Sequence, residues 1–423
     1  MYTSELVFKT PDDGHYFFGY YDKLQLNKDN DKLLVLKVDF MDRVPNKDDV
    51  AVIGYFDLTN QNTFIQVSTT KAFNWQQGCM LQWIGGDFNS KIIYNDLVDN
   101  SFVSVMIDVK SGEKTVFDKA IYSLHSNAKH AVTIDFERHH WCRRGYSYDG
   151  IFDNKKNRPV VKDDAIYLLD LENNTSKKII LLDDMINNKP LSNMKNAIHY
   201  LEHLMFNPSG TRFCFLHRWK IEDGGIYARL YTANINGSEI CLLNDSGRMS
   251  HFAWQDDTHL LAYGGIENRI NSLRKYKKVL RYFIKPLLPL YHMLVNDNSR
   301  LSKAITGDSY IIFTDDTKEI KRVASEISNE DGHPSFSKDG NKNTFITDTY
   351  PDPGEGSIAD LILFDLENDK SFILDRLSSI SEYDNSPIRC DLHPRWSYDG
   401  NYVSIDTMND GKRGCYLYRI KNA

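Results

Sequence analysis

Four histidines carry the strongest chemical signal in the chain. His203, His251, His333 and His393 each stand three residues before a Phe or Trp, and a turn follows, as in His203-Leu-Met-Phe-Asn-Pro-Ser-Gly210 and His393-Pro-Arg-Trp-Ser-Tyr-Asp-Gly400. Neutral imidazole ligates metals and protonated imidazole binds anions, so a convergent set can hold a divalent metal (Mn, Zn or Ca) or grip an acidic sugar. The alternative for any one of them is structural, a histidine that caps its strand and bonds the neighbouring unit. Upstream copies of the same template carry Lys23, Met80 and Ile121 at that offset, whereas a purely structural role would be expected in every copy.

The elements that position these residues form a repeat. After each turn comes an apolar strand, Arg212-Phe-Cys-Phe-Leu216 or Tyr402-Val-Ser-Ile405 for example, and Ser-Gly or Asp-Gly between two short strands marks a hairpin. A further strand ending in apolar-Asp-Leu closes many units, such as Val52 to Leu58, Val103 to Val109 and Asp360 to Leu366. Seven such units predict an all-β fold, a seven-bladed β-propeller in one domain over residues 1–423 with a helical insertion in the fifth blade. Ser4-Glu-Leu-Val-Phe-Lys9 is expected to supply the last blade's missing strand. An open pair of sheets is the alternative, and the regular repeat argues against it.

In a propeller the innermost strands begin at one face, here called the upper mouth, so the four histidines should converge there. Second strands return to the same face and bring Arg138, His217, Arg218, Asp348 and Tyr350 to it. Tyr20 and Tyr21, in an aromatic run before the first inner strand, and Gln76 and Gln77, before the second, suit sugar rings, which stack on aromatic faces and need many hydrogen bonds. Arg143, Arg144 and Tyr146 share a loop able to hold a carboxylate. Solvated loop positions and packing between blades are the plainer readings of these residues.

Residues 266–306 interrupt the fifth unit. Arg269, Arg274, Lys275, Lys277, Lys278, Arg281 and Lys285 meet no acidic residue between Asn268 and Asn296, and Pro286 and Pro289 forbid one long helix. The segment 269–295 therefore reads as a basic amphipathic helix with an apolar hook, able to rest on an anionic membrane surface, or as a helical hairpin laid on the propeller.

Composition narrows the function classes. Lys and Arg number 51 against 58 Asp and Glu, a net charge of −7, which is not a nucleic-acid footprint. With 41% hydrophobic and 26% charged residues, the chain is neither disordered nor a polytopic membrane protein. No nucleotide-cofactor motif occurs, no C-x-x-C pair occurs among the six cysteines, and no secretory signal opens the chain. The expected location is the cytoplasm, at most peripheral to the inner face of the membrane.

The His-Pro-x-Trp/Phe-Ser-x-Asp-Gly repeats, Thr347-Asp-Thr-Tyr-Pro-Asp352 and Arg389-Cys-Asp-Leu-His-Pro-Arg-Trp396 together resemble the seven-bladed propeller polysaccharide lyases, the oligogalacturonate and ulvan lyase group. The resemblance implies β-elimination on an acidic, uronate-containing oligo- or polysaccharide. It implies a divalent metal or the uronate carboxylate on His203, His333 and His393, with His251 as a further ligand. The demands of that chemistry make Tyr146, His217 or Tyr350 candidates for base or acid, Arg218 or Arg138 for the carboxylate, and Arg389 for a substrate contact. A membrane-seeking insert fits instead a glycosyltransferase of surface-polysaccharide (capsule or exopolysaccharide) assembly, or a non-catalytic propeller scaffold for that machinery.

Overall fold

The computed structural model describes residues 1–152, 158–222, 224–266, 307–328, 330–351 and 356–422. Within them the chain forms seven antiparallel sheets that follow one another in sequence, the blades of a seven-bladed β-propeller. Blade four is the most regular, with strands Ile198–Phe206, Arg212–Lys220, Ile226–Asn234 and Cys241–Gly247. Blade seven closes the ring: Tyr2–Lys9 pairs antiparallel with Gly414–Asn422, so the first residues of the chain complete the last sheet, as the sequence suggested. In blade six the inner strand shrinks to one bridge, Ser335 to Ile346, beside a three-stranded sheet.

Burial explains the strand types. A second strand such as Lys32–Val38 is sandwiched by neighbouring blades and reads as a continuous apolar run. An outer strand such as Thr63–Thr70 mixes exposed, half-buried and buried positions and carries polar residues. The template aromatics stitch blade to blade, because each indole N–H donates to a backbone carbonyl of the preceding inner segment: Trp83 to Gln25 at 2.9 Å, Trp254 to Met205 at 3.1 Å and Trp396 to Ser335 at 3.0 Å. The Asp of the apolar-Asp-Leu ending shapes the outer hairpin. Asp57, Asp108, Asp170 and Asp365 each accept the backbone N–H groups two and three residues on, an Asx turn.

The template glycine has a backbone reason. Gly210 has φ +74°, and a Cβ there would fall 2.1 Å from Nε2 of His125 in the preceding blade. Gly210→Ala should therefore lower stability by about 1–3 kcal/mol in denaturant unfolding; an unchanged midpoint would contradict this role.

One expectation changes here. Glu137, Arg138, His139 and His140 do not end a strand but sit in a short helix, Phe136–Cys142, capped by the Asp135 carboxylate on the N–H groups of Glu137 and Arg138. The basic insert, its cations and its proposed membrane contact lie outside the described residues. Strands His259–Gly264 and Ser309–Thr314, which flank it, pair directly in blade five. Among the described residues no helix is long and apolar enough to cross a membrane.

Candidate functional site

The four histidines meet at the upper mouth. Ring centroids lie 4.1 Å apart for His251 and His333 and 4.2 Å for His333 and His393. Tyr20 joins the fourth: its ring lies 5.3 Å from that of His393, stacks on that of His203 at 5.3 Å, and its hydroxyl is 2.8 Å from His203 Nδ1. Tyr21 lies beneath, its ring within 6.2 Å of those of His251, His333 and His393 and its hydroxyl donating to the Phe252 carbonyl. His203 and His393 reach the axis through left-handed backbone, φ +53° and +46°, a conformation uncommon for a non-glycine residue.

Carboxylates aim these rings. Asp348 accepts the His333 N–H at 2.7 Å, faces His333 Nδ1 at 2.9 Å and accepts the His393 N–H at 3.0 Å, leaving Nε2 of His333 as the nitrogen available to a ligand. His251 Nδ1 lies 3.1 Å from Asp331. Burial holds His203 and His393 well below the ordinary imidazole range and lowers His251. Burial opposes protonation of His333 too, but the Asp348 carboxylate outweighs it and the net shift is upward.

One group of donors fits a metal. Single ligand atoms of His333, Asp391 and His393 all lie within 4.8 Å of one another, all three residues are buried, and His393 Nε2 has no hydrogen-bond partner. Two imidazole nitrogens and a carboxylate oxygen suit Mn, Zn or another first-row divalent ion, and three protein donors leave coordination positions for substrate. His203 and His251 share the mouth but stand outside this donor group; Nδ1 of each faces Tyr20 or Asp331 instead.

A second centre, absent from the sequence reading, is Glu202. Its fully buried carboxylate contacts Arg143 and Arg218 through Oε1, and His139 Nε2 at 3.0 Å through Oε2; His203 Nε2 lies 3.5 Å away. Burial alone would raise its pKa, but the two guanidiniums hold it well below the usual carboxylate range. Arg143 also lies 4.0 Å from the Tyr146 ring centroid.

The remaining candidates divide clearly. Arg389 donates to Asp391 at 2.9 Å and to the Tyr146 hydroxyl at 2.8 Å, and lies 5.4 Å from the Tyr350 ring centroid. Gln76, Arg144, Tyr146 and Arg389 line one cavity of about 240 Å³. Tyr350 lies 5.6 Å from His333, and burial beside Asp331 and Asp391 raises its phenol well above the ordinary value. Gln77 is turned to packing, donating to the Tyr122 hydroxyl at 2.9 Å, while the same hydroxyl accepts the His203 N–H.

His217 and Arg138 do not join the mouth. Arg138 donates to the carbonyls of Arg158 and Pro159. His217 is fully buried, its Nε2 2.9 Å from His199 Nδ1 and its ring 5.6 Å from Trp219. Strand alternation is the cause: Arg218 turns to Glu202, so its neighbour must point the other way. Burial pushes both His199 and His217 below the unfolded value of about 6.5. As pH falls through that value the unfolded chain takes up protons first, so their contribution is complete above it and declines below, at up to about 1.4 kcal/mol per pH unit for each proton. Urea unfolding between pH 7.5 and 5.5 should show this slope, reduced in a His199→Asn/His217→Asn variant.

Comparison with known proteins finds no matching sequence family and no matching curated protein. Solved structures do match. An oligogalacturonate lyase in complex with manganese superimposes with TM-score 0.64 and 15% identity, covering 100% of this chain and 96% of that one. An oligogalacturonate lyase from Vibrio parahaemolyticus gives 0.60 and 13%, covering 99% and 96%. The β-propeller domain of the Trilobed protease from Pyrococcus furiosus gives 0.48 and 10%, covering 99% and 95%. At these identities the likeness to the two oligogalacturonate lyases shows the fold alone, a seven-bladed propeller.

Proposed function

We propose that the upper mouth is the active site of a lyase that cleaves uronate-containing oligo- or polysaccharides by β-elimination. The observation that carries this reading is the placing of the His333, Asp391 and His393 donors beside Arg389 and two phenols in one mouth. Full-length similarity to manganese-bound oligogalacturonate lyase supports it.

β-Elimination must neutralise the C5 carboxylate, remove the C5 proton and protonate the departing O4. Stabilising the charge that develops at the carboxylate is the largest demand. A divalent cation on His333, Asp391 and His393 would supply Lewis-acid neutralisation of that carboxylate. Arg389, fixed by Asp391, adds a second positive centre. Arg143 and Arg218 are held by Glu202 and give the wall its charge rather than a free clamp. His251 is the base: Asp331 faces its Nδ1 and favours the tautomer that leaves Nε2 to accept a proton. Tyr146 and Tyr350, both at Arg389, are the phenols able to protonate O4.

The test is incubation with a panel of uronate and neutral glycans, following ultraviolet absorbance of the C4–C5 unsaturated product. Uronate glycans should give it and neutral ones should not. His251→Ala, and whichever of Tyr146→Phe and Tyr350→Phe removes the acid, should each slow turnover by about 10²–10⁴-fold. Consumption of a nucleotide sugar without unsaturated product would replace this reading with a transferase, and no activity on any substrate would leave a scaffold.

A further inference from the structure

The opposite mouth of the channel holds a larger cavity, of about 430 Å³, ringed by the hairpin turns that join first and second strands. We propose that it is a second ligand site, independent of the histidine ring, for a small organic acid: one ring with an apolar face, bearing a carboxylate.

Its walls and charges argue for that class. Trp83, Trp254 and Trp396 line it, and all three indole N–H groups are engaged by backbone carbonyls; Trp254 and Trp396, the less buried two, offer carbon surface suited to stacking on an aromatic or pyranose ring. At the inner end lie Asp22 and Lys23, an ion pair at 2.5 Å whose side chains are 8% and 3% exposed. Asp22 Oδ1 is buried and has no hydrogen-bond partner among the described residues, so a hydroxyl on a ligand would meet an acceptor whose soft terminal torsion can turn to it. Lys338 stands at the entrance, its ammonium 5.9 Å from the Phe88 ring centroid. The acids on the rim are already engaged: Asp256 with Lys342 and His259, and Asp257 with the Ser209 N–H. Asp22 is paired to Lys23 and Asp256 to Lys342, whereas Lys338 makes no ion pair among the described residues and is the cation at the entrance able to meet an anionic group.

Tyr21 separates this cavity from the upper site, since it lines the cavity while its ring packs under His251, His333 and His393. A ligand below therefore need not touch the rings above.

A carboxylated ring could be a sugar acid or an aromatic acid, and the experiment separates them. The full chain is titrated with galacturonate and, separately, with 4-hydroxybenzoate, using calorimetry and tryptophan fluorescence, with galactose and phenol as uncharged counterparts. At least one acid should bind saturably and change the fluorescence, with its uncharged counterpart about tenfold weaker or more. Lys338→Met should weaken that acid by about tenfold, and a His333→Ala/His393→Ala variant should keep this Lys338-sensitive binding and its fluorescence change, whatever uronate binding the upper mouth loses. Whichever acid binds identifies the source. No saturable binding of either acid, or binding lost in the histidine variant and insensitive to Lys338→Met, would overturn the proposal.

Discussion

Replacing Glu202 with Gln should destabilise the protein by about 3–5 kcal/mol, the largest stability loss expected of any single change in the upper mouth. The carboxylate is fully buried and touches Arg143, Arg218 and His139 at once. The amide keeps the shape but removes the charge, so two largely buried guanidiniums face each other without an anion. Denaturant unfolding measures this directly. A loss under about 1 kcal/mol would mean that solvent already screens the arginines, as it does exposed ion pairs.

Replacing His333 and His393 together with Ala should remove tight divalent-metal binding and reduce uronate cleavage by at least about 10²–10³-fold, the usual scale for loss of an electrostatic centre at a developing charge. Both imidazoles belong to the buried donor group, and Asp391 alone is a poor site. Chelation of the wild-type protein should lower cleavage similarly, and added Mn²⁺ should restore it in wild type but not in the double variant. Stability should be affected less, because the Asp348 contacts to the backbone N–H groups of both residues survive the substitution. Unchanged metal content in the variant would place the ion elsewhere.

The fold was legible because one template recurs with each residue doing local work. The aromatic stitches blades, the turn glycine supplies positive φ, and the Asp of the third strand caps the next hairpin. Convergence of the four histidines followed from their common offset. What the repeat could not show was Glu202, which occurs once. Glu202 precedes His203, and simple alternation would put the two on opposite faces; the register shift between Glu202 and Met205, with His203 left-handed, brings them within 3.5 Å. Asp331 and Asp391 had a readable signal, since each stands two residues before a template histidine, in Asp331-Gly-His333-Pro and Asp391-Leu-His393-Pro. The pairing of His217 with Arg218 failed for the converse reason: two consecutive strand residues cannot both face one cavity.

The mass of the cleavage product tests the central claim most directly. The protein is incubated with a uronate oligosaccharide and a divalent ion, and the fragments are weighed by mass spectrometry. β-Elimination predicts fragments whose masses sum to that of the substrate, one of them unsaturated and lighter by one water than a hydrolysis product. Fragments that have taken up water, or a substrate left intact under every divalent ion tried, would contradict the account.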